Sequence, residues 1–203
     1  MPEGRGGTTI VMLKDLFISK TRVKLLEIFL SDSTQMYHVR DLVRKTAEEI
    51  NAVRRELARM ESLNMVKKEP RGNRLYYWFR QDYVFYHDLL SLVSKSTGLG
   101  AAIVKNKSKL GNIFLTVLSG RFARHLPRKS PDGVDLLIVG DIALPELASL
   151  VRAEEIKREQ AINYTPMTVE ELKFRRTRHD PFLNSILTSS RVMVIGDEED
   201  LVG

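Results

Sequence analysis

At 203 residues and 43% apolar, the chain suits one large packed domain or two small ones, and its lack of cysteine excludes disulfides, thiolate metal sites and cysteine nucleophiles. No apolar run nears the roughly 20 residues that span a bilayer, and residues 1–9 lack the apolar core of a signal peptide, so a cytoplasmic protein without membrane association is expected. The net charge of +6 is uneven: residues 1–95 hold 17 of the 32 Lys/Arg but 12 of the 26 Asp/Glu, and a cationic excess in one half favours an anionic partner there.

Residues 15–30 predict a first helix, with Leu16, Val23, Leu26, Ile28, Phe29 and Leu30 supplying apolar surface. A polar turn, Ser31-Asp32-Ser33-Thr34, ends it. Residues 35–38 read as a short extended piece beside a later hairpin. Residues 39–45 predict a short helix and residues 48–62 a longer one. In the longer one Ile50, Val53, Leu57 and Met60 recur at three- and four-residue steps and share a face, while Asn51, Arg54, Arg55 and Arg59 fall toward the other. Thr46, with Glu49 three residues on, has the spacing of a capping box that would start this helix. Two β-type runs follow, 65–68 and 75–79, joined by Pro70-Arg71-Gly72-Asn73-Arg74.

Helix, turn, basic helix and a hairpin with a basic tip is the order of a winged helix-turn-helix, and it predicts binding to double-stranded DNA. Arg54, Arg55 and Arg59, with Asn51, would read base edges in the major groove; Arg71, Asn73 and Arg74 would reach phosphate or the adjacent minor groove. Lys67 and Lys68 would contact the backbone, which positions without reading sequence. The plainer alternative is a solvated helix face on which these arginines pair with Glu56 and Glu61, with Arg71 and Arg74 as solubilising turn residues. Tyr76, Tyr77 and Trp78 read as packing residues of the hairpin.

Residues 81–97 predict another helix with apolar Val84, Phe85, Leu89, Leu90, Leu92 and Val93. Phe85, Leu89 and Leu92 suit either a dimer interface or packing on the first helix; a homodimer is expected because two half-sites need two copies. Gly98-Leu99-Gly100 breaks the pattern, which divides the chain into residues 12–97 and 98–203. Residues 101–110 then read as a basic helical linker. Beyond Gly111, strands at 113–118, 134–139, 161–167 and 192–195 alternate with helices at 144–159, 169–178 and 181–187, the signature of an α/β or α+β domain around one sheet.

Within this second half, Leu118-Ser119-Gly120-Arg121-Phe122-Ala123-Arg124 followed by Asp132-Gly133-Val134-Asp135 and an apolar run to Asp141 resembles the minimal nucleotidyltransferase-like domain of the polymerase-beta superfamily. Together with the N-terminal segment, including Asn51–Leu57, the Arg71-Gly72-Asn73-Arg74 turn with Tyr77, and residues 159–168, the chain from about residue 12 resembles prokaryotic, often archaeal, transcriptional regulators that join a winged helix to such a domain. The resemblance implies an α+β protein: an N-terminal winged helix-turn-helix followed by a small mixed-sheet nucleotidyltransferase-like domain. In active members a Gly-Ser turn holds the triphosphate and an Asp-x-Asp strand holds magnesium. This chain departs from both motifs. The pair is inverted as Ser119-Gly120, the first aspartate position holds Gly133, and Asn163 stands about where a third carboxylate is expected. Asp132 and Asp135, three residues apart on a strand, would face opposite ways, whereas two-metal chemistry needs clustered carboxylates. The implied site is therefore degenerate at Ser119, Gly120 and Asp135, with no catalytic residue, metal or cofactor expected.

Arg121, Arg124 and Arg128, with His125 and Lys129, occupy the loop that would meet a triphosphate. They suggest either retained anion binding or a solvated loop, and Asp135 has the alternative of a structural carboxylate at a strand end. The four histidines share no metal-ligand spacing. Arg175-Arg176-Thr177-Arg178-His179 is explained by the preference for cations at a helix C-terminus. The expected function is sequence-specific transcriptional regulation, with a nucleotide or protein effector at the second domain. The alternatives are a magnesium-dependent nucleotidyltransferase targeted by its DNA-binding half and a protein-interaction module of the toxin–antitoxin kind.

Overall fold

The computed structural model describes residues 18–203, so Leu16 and the beginning of the first expected helix lie outside the described residues. Helix α1 (Lys20–Ser31) is started by Ser19, whose hydroxyl accepts from the Arg22 N–H. Its inner face buries Val23, Leu25, Leu26, Phe29 and Leu30. Strand β1 (Tyr37–His38), helices α2 (Val39–Thr46) and α3 (Ile50–Ser62) and strands β2 (Val66–Arg71) and β3 (Arg74–Phe79) follow. The three strands form an antiparallel sheet in the order β1-β3-β2, so the extended piece expected near residue 37 does lie against the hairpin. The hairpin closes on the Arg71–Arg74 pair. Gly72 takes φ +59 in its two-residue turn, a conformation that costs glycine little.

The capping box expected between Thr46 and Glu49 is not formed. Thr46 is the last residue of α2, where its buried hydroxyl donates to the Leu42 carbonyl at 2.7 Å. Ala47 turns the chain with a left-handed φ of 52°, and Glu49 alone caps α3, accepting from the Ala52 N–H at 3.0 Å. A turn this tight leaves Thr46 committed to the helix it ends.

The helix expected from residue 81 begins instead at Tyr86, as α4 (Tyr86–Ser96). The preceding residues form a turn in which Arg80 pairs with Asp82 at 2.7 Å. Leu90 and Val93 are buried, and Leu89 and Leu92 pack half-buried on the same core as α1. Of the three residues considered for a dimer interface, only Phe85 is largely exposed.

Residues 101–110 are helical as expected but are packed rather than linking: Gly98-Leu99-Gly100 opens helix α5 (Gly98–Lys105), α6 (Lys107–Leu110) follows, and Leu99, Ile103 and Leu110 are fully buried. The second half then runs β4 (Gly111–Ser119), α7 (Gly120–Ala123), β5 (Leu136–Ile142), α8 (Leu144–Arg158), β6 (Tyr164–Met167), α9 (Val169–Thr177), α10 (Pro181–Leu187), β7 (Arg191–Ile195) and α11 (Glu198–Val202). Helices α7 and α11, of four and five residues, are too short to leave a periodic signal. The sheet has the order β6-β5-β4-β7, with β5 and β6 parallel and the other pairs antiparallel. Its central strands are buried on both faces, which is why they read as continuous apolar runs. Ile113, Leu136 and Ile138 face the larger core, while Leu115, Val117, Leu137 and Val139 face a smaller one with Leu172, Leu183 and Leu201.

The chain is thus a mixed α+β protein with two open sheets. Among the described residues no helix is long and apolar enough to cross a membrane. The larger core is continuous from Leu26 and Leu57 through Val93 and Ile103 to Leu136 and Val194. The division at residues 97 and 98 is therefore a change of pattern along the chain, not a break in packing. Gly100 sits at that junction, where a Cβ would overlap the Ser94 carbonyl oxygen. Gly100→Ala should force backbone to move and destabilise the chain by about 1–3 kcal/mol; an unshifted urea midpoint would show that the junction has slack.

Candidate nucleic-acid interface

Helix α3 separates its residues cleanly by face. Val53, Glu56, Leu57 and Met60 are buried, whereas Asn51, Arg54, Arg55, Ala58, Arg59 and Ser62 form an exposed stripe at the matching helical spacing. The acids expected to neutralise the stripe are engaged elsewhere. Glu56, 7% exposed, is bonded by Arg22 and by the Ser19 hydroxyl of α1. Glu61 pairs with Lys68 of β2 at 2.7 Å. Among the described residues Arg54, Arg55 and Arg59 have no ion-pair partner. At the start of α3 the Glu49 carboxyl is held below its usual range, chiefly by the Asn51 N–H and then by the Ala52 N–H, with the Arg55 and Arg54 charges adding to the effect.

The hairpin presents Lys67, Arg71, Asn73 and Arg74, all exposed. Arg71 is steadied by Glu69 at 3.2 Å and by the Tyr76 ring, 5.7 Å from its guanidinium carbon. Arg74 and Lys67 have no ion-pair partner among the described residues. Lys68 is tied to Glu61, so it is less free for a phosphate than Lys67. Tyr77 is buried, and Tyr76 and Trp78 are half-buried, as expected of packing residues.

Two features, one buried and one partly exposed, orient this surface, and neither was read from the sequence. The Ser19–Arg22–Glu56 cluster fixes α3 against α1. Its signal was present: Glu56 falls in the register of Val53, Leu57 and Met60, and a carboxylate on a buried face needs a partner. The other is Lys24, which donates to the Thr46 carbonyl at 2.8 Å and to Glu48 at 2.6 Å and so clamps the turn between α2 and α3.

In the second half the residues singled out between Ser119 and Asn163 are brought together but are bonded to one another or to nearby backbone. Strand β5 starts at Leu136 rather than at Val134, so neither aspartate lies on it. Asp132 is exposed in the preceding loop, and Asp135 is 3% exposed. The Asp135 carboxylate accepts from Arg128 and from the Asn163 N–H at 3.0 Å, while the Asn163 amide donates to the Pro131 and Gly133 carbonyls at 2.8 and 3.1 Å. Arg128 also donates to the Ala161 carbonyl at 2.9 Å. Arg121 bonds the Pro127 carbonyl at 2.7 Å, and Arg124 bonds the Gly120 carbonyl at 2.8 Å and the Ser190 hydroxyl at 3.0 Å. Ser119 caps α7 by accepting from the Arg121 N–H, and the Gly120 N–H donates to the Ser190 carbonyl. Near the chain's end Arg175 pairs with Glu171 and Asp180. Among the described residues no group of three or more His, Asp or Glu is placed to hold a metal ion.

Asp135 thus ties the loop before β5 to the approach of β6. Asp135→Ala, which strands Arg128 and the Asn163 N–H, should lower stability by about 2–3 kcal/mol, read as a fall in the urea midpoint; an unchanged midpoint would remove Asp135 from any structural role. Comparison of the chain with family models, curated proteins and solved structures found no match.

Proposed function

We propose that the chain is a sequence-specific, DNA-binding transcriptional regulator of the winged helix-turn-helix kind, acting as a homodimer. The observation that carries the reading is the exposed stripe of Asn51, Arg54, Arg55 and Arg59: Glu56 is turned inward to Arg22, Glu61 across to Lys68, and Glu49, which feels the Arg55 and Arg54 charges, forms no ion pair with them among the described residues. A merely solvated helix face would be expected to neutralise its own charges. Here three guanidinium groups without ion-pair partners among the described residues project from a helix whose opposite side is locked by packing, which suits insertion into a major groove. The wing adds Arg71, Asn73, Arg74 and Lys67 for the backbone or minor groove.

On the same reading the second half is a nucleotidyltransferase-like domain without turnover. Support comes from Asp135, whose carboxylate is spent on Arg128 and on backbone. A carboxylate held in this way does not offer the lone pairs that a pair of magnesium ions requires. Arg121, Arg124 and Arg128 are each bonded to the loop or to the segments beside it, so they act as fasteners more than as an open anion site.

The test is titration of the purified chain with genomic DNA fragments, including its own promoter, at two salt concentrations. A regulator binds a few fragments tightly in both, whereas phosphate contacts alone give uniform binding that falls steeply with salt. Replacing Arg54 and Arg55 together by Ala should weaken the specific site by about a hundredfold, since each arginine reading a base edge supplies ~1–3 kcal/mol of discrimination. Lys67→Ala should weaken all fragments alike and flatten the salt dependence. Undiminished discrimination in the double variant would remove α3 as the reading element.

A further inference from the structure

Helix α3 turns by about 100° per residue, so its exposed stripe has a centre and two borders. The buried side chains of Val53, Glu56, Leu57 and Met60 fix the inner side. Opposite them, within about 30° of the line farthest from the core, lie Asn51, Arg55, Ala58 and Ser62, all exposed. Arg54 and Arg59 border that line on its two sides, about 140° apart.

The four central residues differ in what they still offer a partner. The Ser62 hydroxyl donates to the Arg59 carbonyl at 2.8 Å, so its proton is spent. Among the described residues the Asn51 amide and the Arg55 guanidinium make no side-chain hydrogen bond, and both remain open. Ala58 presents only a methyl group, turned to solvent between Arg54 and Arg55 on one turn and Ser62 on the next. No carboxylate stands on the line. The shortest side chain on it is therefore the place where α3 can approach another surface most closely, and it is apolar.

We propose that Ala58 is a specificity-determining residue: its methyl packs on the 5-methyl group of a thymine, beside a guanine held by Arg55 and an adenine held by Asn51. The assignment rests on the DNA-binding reading and names the half-site that α3 reads. Thymine alone among the bases shows a methyl group in the major groove. Guanine shows two acceptors that match a guanidinium, and adenine an acceptor and a donor that match a carboxamide. Along the axis Arg55 is about 4.5 Å from Ala58 and Asn51 about 10 Å, against about 3.4 Å for each base-pair step. The guanine thus lies one or two steps from the thymine and the adenine about three, all within one half-site. An alanine placed there for helix propensity alone would leave binding indifferent to the thymine methyl.

Selection of duplexes from a random library by the full chain gives the site, and its half-site should hold thymine with guanine one or two steps away. Deoxyuridine in place of that thymine removes only the methyl and should weaken binding about fourfold, the worth of one buried methyl group. In Ala58→Gly the thymine and deoxyuridine sites should bind alike. The comparison is made within each protein, so a general loss of affinity from a weaker helix does not enter, and the unaltered chain needs no variant to show the penalty. A half-site without thymine, equal binding of the unaltered chain to both sites, or a penalty undiminished in Ala58→Gly would overturn the assignment and leave the regulator reading standing. A library from which no sequence is enriched would overturn the regulator reading, and the half-site with it.

Discussion

The two halves of the described chain depend on one apolar core that they share, with a smaller core on the other face of the second sheet. Helix α4 packs on α1 on one side and lies beside β7 on the other, and α5 reaches α8. The residues that achieve this, from Leu26 and Phe29 through Leu90, Val93 and Ile103 to Leu136 and Ile138, form one continuous cluster. Burial of apolar surface is non-directional and roughly additive in area, so a continuous core makes the two halves stabilise each other. Gly100, pressed against the Ser94 carbonyl, allows the close approach on which this depends.

On that core the polar architecture takes a consistent form: buried carboxylates are held by arginines or by backbone and are used to fix positions. Glu56 anchors α3 to α1, Asp135 anchors the loop before β5 to the approach of β6, and Glu154 anchors Arg158 over the Phe122 ring. Each is an ion pair largely out of water, where removing one partner leaves an uncompensated charge. The exposed arginines of α3 gain from this arrangement. With Glu56 turned inward and Glu61 turned to Lys68, their charge is directed to solvent and to any anionic partner.

One helix of the shared core also spans the molecule. Helix α1 touches the Glu56 anchor at one end and the junction of the two halves at the other.

The periodicities of the chain were sufficient for most of the elements. The three- and four-residue steps of Val53, Leu57 and Met60 located α3 and its faces, the apolar runs located β4 and β5, and residues 181–187 matched α10 to the residue. These signals are local, because each reports whether one side of a segment is buried. What is decided by partners distant in the sequence was not legible. Thr46 turned back into α2 because a left-handed Ala47 makes the turn. Residues 101–110 read as helical, but that Ile103 and Leu110 join the shared core, so that the segment is packed rather than a linker, was not legible. That Asp135 could be a structural carboxylate at a strand end was legible; that its partners are Arg128, seven residues away, and Asn163, 28 residues away, was not. The sequence by itself determined which residues are cationic and on which helical face they lie. Tertiary structure alone decided which of those charges are neutralised, because a salt bridge depends on distance in space and the chain records only distance along itself.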